Sequence, residues 1–164
     1  MDPCEVSLIV ITHGHIDHFG SAAELRRLTG APVAGHIADL GPYRSGRVRE
    51  PYLPTGPMGR IMPTPGHTAG SVSVLTDDGD LVAGDLVANS FMGLIPGRPA
   101  NPPFHDDPRQ NLTSLRAMLA LDPTRLHVGH GAPLEPGRVR RWADRESERL
   151  SRREAAGRIA TRAT

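Results

Sequence analysis

Residues 13–18 read His-Gly-His-Ile-Asp-His. Three imidazoles and a carboxylate within six residues are more than a fold needs for its own stability. Neutral imidazole and carboxylate are the preferred ligands of zinc and related divalent metals. Three later positions could complete such a site: His67 in Thr64-Pro-Gly-His-Thr-Ala-Gly-Ser71, Asp85 in Ala83-Gly-Asp-Leu86, and His130 in Gly129-His-Gly131. A Gly-Asp pair alone carries almost no information and Gly-His-Gly little, whereas Pro-Gly-His-Thr carries more. Their order behind the first motif makes the set point to a metal centre. The other histidines have simpler readings. His36 lies outside the pattern as a rim or structural residue, and His127 as a strand residue. A helix cap and a solvated loop account for His105, Asp106 and Asp107.

The elements around these residues must bring them together. Leu8-Ile-Val-Ile-Thr12 reads as a buried parallel strand, short, β-branched and uninterrupted, and ligands at the end of such a strand lie where open α/β sheets bind. Val72–Thr76 and Leu81–Ala83 flank Asp77-Asp-Gly-Asp80 as a hairpin with an Asp-Gly turn, placing His67 just before the first strand and Asp85 just after the second. Arg125–Gly129 is a further strand leading into His130, and Pro32–Ile37 another. Ser21-Ala-Ala-Glu24 fits a capping box opening a helix whose apolar face holds Leu25 and Leu28, with Gly30 closing it. Asp107-Pro108 caps a second helix with Leu112, Leu115, Met118 and Leu119 on its apolar face. Between Gly41 and Pro65 six prolines interrupt every alternating run. That stretch reads either as a substrate-covering flap holding Tyr43, Tyr52 and Met58 or as a degenerate linker. Phe91-Met-Gly-Leu-Ile95 is an apolar loop suited to lining a pocket.

The series HxHxDH, PGHT, GD and GH resembles the metallo-β-lactamase superfamily over about Val6 to Pro133. The resemblance implies an α/β fold, the αββα sandwich. It implies that His13, His15 and His67 hold one metal, that Asp17, His18 and His130 hold a second, and that Asp85 bridges them. Two divalent ions are then expected, zinc first, with iron or manganese as alternatives. The implied activity is hydrolysis of a small-molecule ester, thioester, lactone or lactam by a metal-bridging hydroxide, with Asp17 as the catalytic base or water-orienting carboxylate. The chain is most similar to the glyoxalase-II-like and lactonase-like branches, without the helical carboxy-terminal domain of true glyoxalase II. Such proteins carry several strands ahead of the HxHxDH loop, where this chain has one. The sandwich is therefore expected to be incomplete at its amino-terminal half, with self-association covering what is left open. Two further readings are a metal-binding fragment without a closed pocket, and a nucleic-acid-processing member, which would need an inserted domain that this length cannot house.

Composition bounds the rest. A chain of 164 residues supports one domain, here expected over residues 1–137, with an Arg-rich helix or tail over 138–164. The tail holds nine Arg against four acidic residues, a net +5, so the first 137 residues net −4. Trp142 could anchor this helix, which otherwise reads as a solvated surface element. A nucleic-acid partner would want more aromatics beside the charge. No apolar run is long enough to span a bilayer, no signal-peptide pattern opens the chain, and Cys4 is the single cysteine. These features lead to the expectation of a cytoplasmic protein acting on a small molecule, with no membrane partner.

Overall fold

The computed structural model describes residues 2–39, 50–51, 55–56, 59–90 and 97–162. A 3-10 turn at Pro3–Glu5 leads to β1 (Ile9–Val10), the single helical turn α1 (Ile16–Phe19), α2 (Ala22–Thr29), β2 (Val33–Gly35) and β3 (Glu50–Pro51). These three strands form a parallel sheet in the order β1-β2-β3. Next come β4 (Thr55–Gly56), β5 (Gly59–Pro63), β6 (Val72–Thr76) and β7 (Asp80–Gly84), then the short pair β8 (Ala88–Asn89) and β9 (Pro99–Ala100). Helix α3 (Pro108–Leu119), strand β10 (Arg125–Val128) and helix α4 (Pro136–Arg162) complete the chain. The second sheet runs β10-β7-β6-β5-β4, with β10 parallel to β7 and the other neighbours antiparallel.

Alternation along β7 aims Leu81 and Ala83 to one face, and the register sets Leu75 and Leu126 beside Leu81. That face meets α3 through Leu112, Leu115, Met118 and Leu119 and α4 through Val139 and Ala143, forming the larger core. A smaller cluster of Ile11, Phe19, Ala22 and Val33 fills the space between β1, β2 and the first helices. The two sheets join where the Val72 N–H donates to the Thr12 carbonyl at 2.8 Å. This bond sets the end of β1 against the start of β6, and with it the two His-bearing loops.

The anticipated hairpin forms: Val74 faces Val82 and Leu75 faces Leu81, with Gly79 at φ +85° in the turn. Asp107 caps α3, accepting from the Arg109 and Gln110 N–H groups. Other expectations need correction. The first strand is two residues long and half-buried rather than fully enclosed. Ser21 makes no side-chain cap bond, because its backbone (φ −94°, ψ 1°) already continues the turn of α1. Glu24 instead pairs with Arg27 at 2.7 and 2.9 Å. Leu25 and Leu28 face outward, and Ala22 supplies the buried contact of α2.

The proline-rich stretch contains strands after all. Pro63 ends β5 beyond the reach of β4, which pairs only with Gly59 and Arg60. The Thr64 N–H donates to the Ser71 carbonyl, so the nitrogen of Pro63 is turned away from β6 and its missing N–H leaves no ladder bond unmade. Tyr43, Tyr52 and Met58, and the apolar loop from Phe91 to Ile95, lie outside the described residues. Nor is α4 a merely solvated helix. Val139, Ala143 and Glu146 are buried, and Trp142 packs against the larger core.

Candidate metal centre

Each ligand-type residue sits where a regular element stops. His13 and His15 follow β1, while Asp17 and His18 lie on α1, whose single turn carries them back over the same edge. His67 occupies the loop between β5 and β6, and Asp85 follows β7. His130 follows β10. The Gly129 N–H bonds the Gly84 carbonyl and the Asn89 N–H bonds the His130 carbonyl, so these two loops run side by side. All seven residues converge.

Three groups of three have ligand atoms within 4.8 Å of one another: His13, His15 and His67; Asp17, His18 and His130; and, linking these two, His13, His18 and Asp85. Asp85 adjoins the first two. Its Oδ2 is 3.5 Å from His67 Nε2 and 3.3 Å from His130 Nε2, and its Oδ1 is 3.6 Å from His18 Nε2. Within the groups, His67 Nε2 is 3.0 Å from His15 Nδ1, and His18 Nε2 is 3.4 Å from His130 Nε2. His13, His67 and Asp85 are buried. The side chains of Asp17 and His130 are 55 % and 44 % exposed, so the second group is the side from which a molecule could approach.

Electrostatics favour cation binding. Burial, reinforced by the neighbouring imidazoles, lowers His13 to about 2 and His67 to about 3. Burial likewise lowers His18 and raises Asp85. Neutral imidazoles present lone pairs rather than protons, as a metal requires. His13 Nε2 and Asp85 Oδ1 are buried without a hydrogen-bond partner. Buried polar atoms in folded proteins are nearly always satisfied. Two orphans inside a cluster of seven ligand-type residues are what a pair of cations would satisfy, so the residues fit the group.

Two residues escaped the sequence reading. His105 is not in a solvated loop: its Nδ1 lies 3.3 Å from His67 Nδ1, behind the metal-facing side of that ring. Asp39 accepts from the Gly14 N–H at 2.7 Å, the Thr68 hydroxyl at 2.8 Å and the Gly70 N–H at 2.8 Å. Neither carries a spacing signal. His36 is on the rim, its Nδ1 accepting from the Ala38 N–H, and His127 is a strand residue bound to Asp80 at 2.7 Å. Asp106 and Asp107 bind the PGHT loop through their backbone N–H groups, to the carbonyls of His67 and Gly66.

The sequence profile of the Metallo-beta-lactamase superfamily matches residues 1–130. Among similar proteins, a hydroxyacylglutathione hydrolase of Acidiphilium cryptum (strain JF-5) is 32 % identical over 154 residues, covering 90 % of this chain and 59 % of its own. The chain thus spans less than two thirds of that relative's length. Among solved structures, TTHA1623 in a di-iron-bound form is 30 % identical with a TM-score of 0.55, covering 80 % of this chain and 73 % of its own. ST1585 from Sulfolobus tokodaii, an archaeal metallo-beta-lactamase superfamily protein, is 23 % identical with a TM-score of 0.64, covering 85 % of this chain and 67 % of its own.

Proposed function

Because the chain belongs to the metallo-β-lactamase superfamily, we propose that it is a metal-dependent hydrolase of a small-molecule ester, thioester, lactone or lactam. One observation carries this reading: two three-residue ligand groups adjoin Asp85, and His13 Nε2 and Asp85 Oδ1 are buried without a hydrogen-bond partner. His13, His15 and His67 would hold one divalent cation, Asp17, His18 and His130 the other, and Asp85 both. When bound, such a pair supplies Lewis acidity and a nucleophile at neutral pH. The relatives named hydroxyacylglutathione hydrolase favour the thioester among the four substrate classes. The structure described as di-iron-bound keeps iron beside zinc as a candidate metal.

The chain's own residues have distinct tasks. Asp17 is the exposed carboxylate at the open side, with Oδ2 3.4 Å from His130 Nε2 and 3.6 Å from His18 Nε2. There it can accept a proton from an attacking water or orient that water, a role needing a carboxylate within hydrogen-bond reach. His13 and His67 line the closed side, where burial excludes water and keeps their rings neutral. A second reading, a metal-binding unit without a closed pocket, draws on the exposure of Asp17 and His130. Among the described residues no helix is long and apolar enough to cross a membrane. A cytoplasmic location and self-association around the first sheet complete the proposal.

The test has two parts. Metal analysis after chelation and reconstitution should give about two equivalents of zinc, lost in a His13→Ala, His130→Ala double variant. A panel of chromogenic esters, thioesters, lactones and β-lactams should then show chelator-sensitive turnover that Asp17→Asn abolishes more completely than it lowers metal content. Two bound equivalents with no turnover on any member would favour the second reading.

A further inference from the structure

Asp39 follows β2 on the short turn His36–Asp39, closed by the Asp39 N–H donating to the His36 carbonyl. Its carboxylate takes no part in any of these ligand groups. It binds the two loops that supply the first group. The Gly14 N–H, the peptide group between His13 and His15, donates to Oδ2, as does the hydroxyl of Thr68, next in chain to His67. The Gly70 N–H donates to Oδ1. The packing leaves no slack. A Cβ at Gly14 would lie 2.9 Å from Asp39 Cβ, and one at Gly70 would lie 2.5 Å from Asp39 Cγ. Both loops therefore present a glycine to the same carboxyl group, and each reaches it through a main-chain donor. Thr68 is also tied to Ser71, whose hydroxyl accepts from the Thr68 N–H at 3.1 Å, so the second loop arrives as a braced unit.

We propose that Asp39 is the positioning residue of the His13/His15/His67 group. It fixes the separation of the two loops and so determines how tightly that group holds its cation. The inference rests on the metal reading above and adds a selectivity that reading does not contain. No hydrogen bond of Asp39 reaches Asp17, His18 or His130, which hang from α1 and from the loop after β10. Loss of the carboxylate should therefore weaken one cation site and spare the other. Outer-shell groups of this kind typically alter metal affinity about ten- to hundred-fold.

Zinc titrations of the metal-free chain against a chromophoric chelator test this, with His15→Ala and His18→Ala marking which equivalent belongs to which group. Asp39→Ala should weaken the equivalent that His15→Ala removes by about ten- to hundred-fold and leave the other within experimental error. Asp39→Asn keeps an oxygen for Gly14 and Thr68 but turns an amide towards the Gly70 N–H, so its affinity should fall between wild type and Asp39→Ala. In the metal-free state, amide hydrogen exchange at Gly14 and Gly70 should accelerate together in both variants. Should Asp39→Ala fail to fold by thermal melting, Asp39→Asn carries the same comparison. Equal weakening of both equivalents would overturn the proposal, as would unchanged affinities in a variant with accelerated exchange. Wild-type protein that takes up no zinc would overturn the metal reading and this inference with it, whereas two tight equivalents in both Asp39 variants would overturn this inference alone.

Discussion

His67 is addressed from both sides of its ring. Nε2 faces His15 and Asp85, while Nδ1 faces His105. A neutral imidazole carries one proton, so a ring that offers Nε2 to a cation must hold its proton on Nδ1 and donate it to His105 Nδ1. His105→Phe keeps the bulk and removes the acceptor, and should lower zinc affinity about tenfold, read by the same chelator competition. Acid acts on the same rings. Burial lowers His13 to about 2 and His67 to about 3 from an ordinary 6.5, and lowers His18 as well. Between those folded values and 6.5 the unfolded chain binds more protons than the native one, so stability falls as pH drops through this window. Asp85, raised by burial, opposes this with one group against three. Metal-free protein should accordingly melt at a lower temperature at pH 5 than at pH 7.5, and the reverse order would contradict neutral buried imidazoles. The HxHxDH run was legible from its own composition, whereas His67, Asp85 and His130 were legible only from their order behind it at strand ends. Asp39 and His105 were not, because an isolated Asp after a strand and a His before a helix cap acquire their partners only through tertiary approach.

Two helix starts looked alike as sequence and differ in the folded chain. Asp107 accepts two N–H bonds of 2.9 Å at the head of α3, whereas Ser21 accepts none at the head of α2. Asp107→Ala should therefore cost about 1 kcal/mol, and Ser21→Ala less than about 0.5 kcal/mol, measured by denaturant unfolding. The first change should also reach the candidate centre. The head of α3 is bonded to the PGHT loop by the Asp106 and Asp107 N–H groups, and the Ser114 hydroxyl donates to the Pro65 carbonyl at 2.7 Å. The S-x-x-E pattern misled because capping requires Ser21 in an extended conformation, whereas Gly20, which caps α1, is helical and Ser21 continues that turn. The hairpin and the face of α3 were legible because their periodicity coincides with a buried surface. The strands within residues 50–63 were not, since short pairs among prolines leave no alternation to read.

Most of the exposed large apolar side chains flank the smaller sheet, with Phe104 and Leu121 exposed beside α3. The five-stranded sheet has one face sealed by α3 and α4. The first sheet ends in β1 at its edge, and its flanking elements leave Ile16 (61 %), Leu28 (53 %), Leu25 (45 %) and Ile37 (60 %) exposed. An open strand edge beside apolar side chains is a surface that another chain can cover. Covering apolar area returns roughly 25 cal/mol per Å², against a domain stability of about 5–15 kcal/mol, so a few large side chains weigh measurably on the balance. The basic charge of α4 is partly matched in place, by Arg140 with Asp122, Arg149 with Glu146 and Arg152 with Glu148. The proposed self-association predicts a melting temperature that rises with protein concentration and a light-scattering mass above 17.6 kDa. Replacing Leu25 and Leu28 by Gln should lower that mass without lowering zinc content, since both are exposed on α2. A monodisperse 17.6 kDa species whose melting point is independent of concentration would show that the first sheet is stable with its edge uncovered.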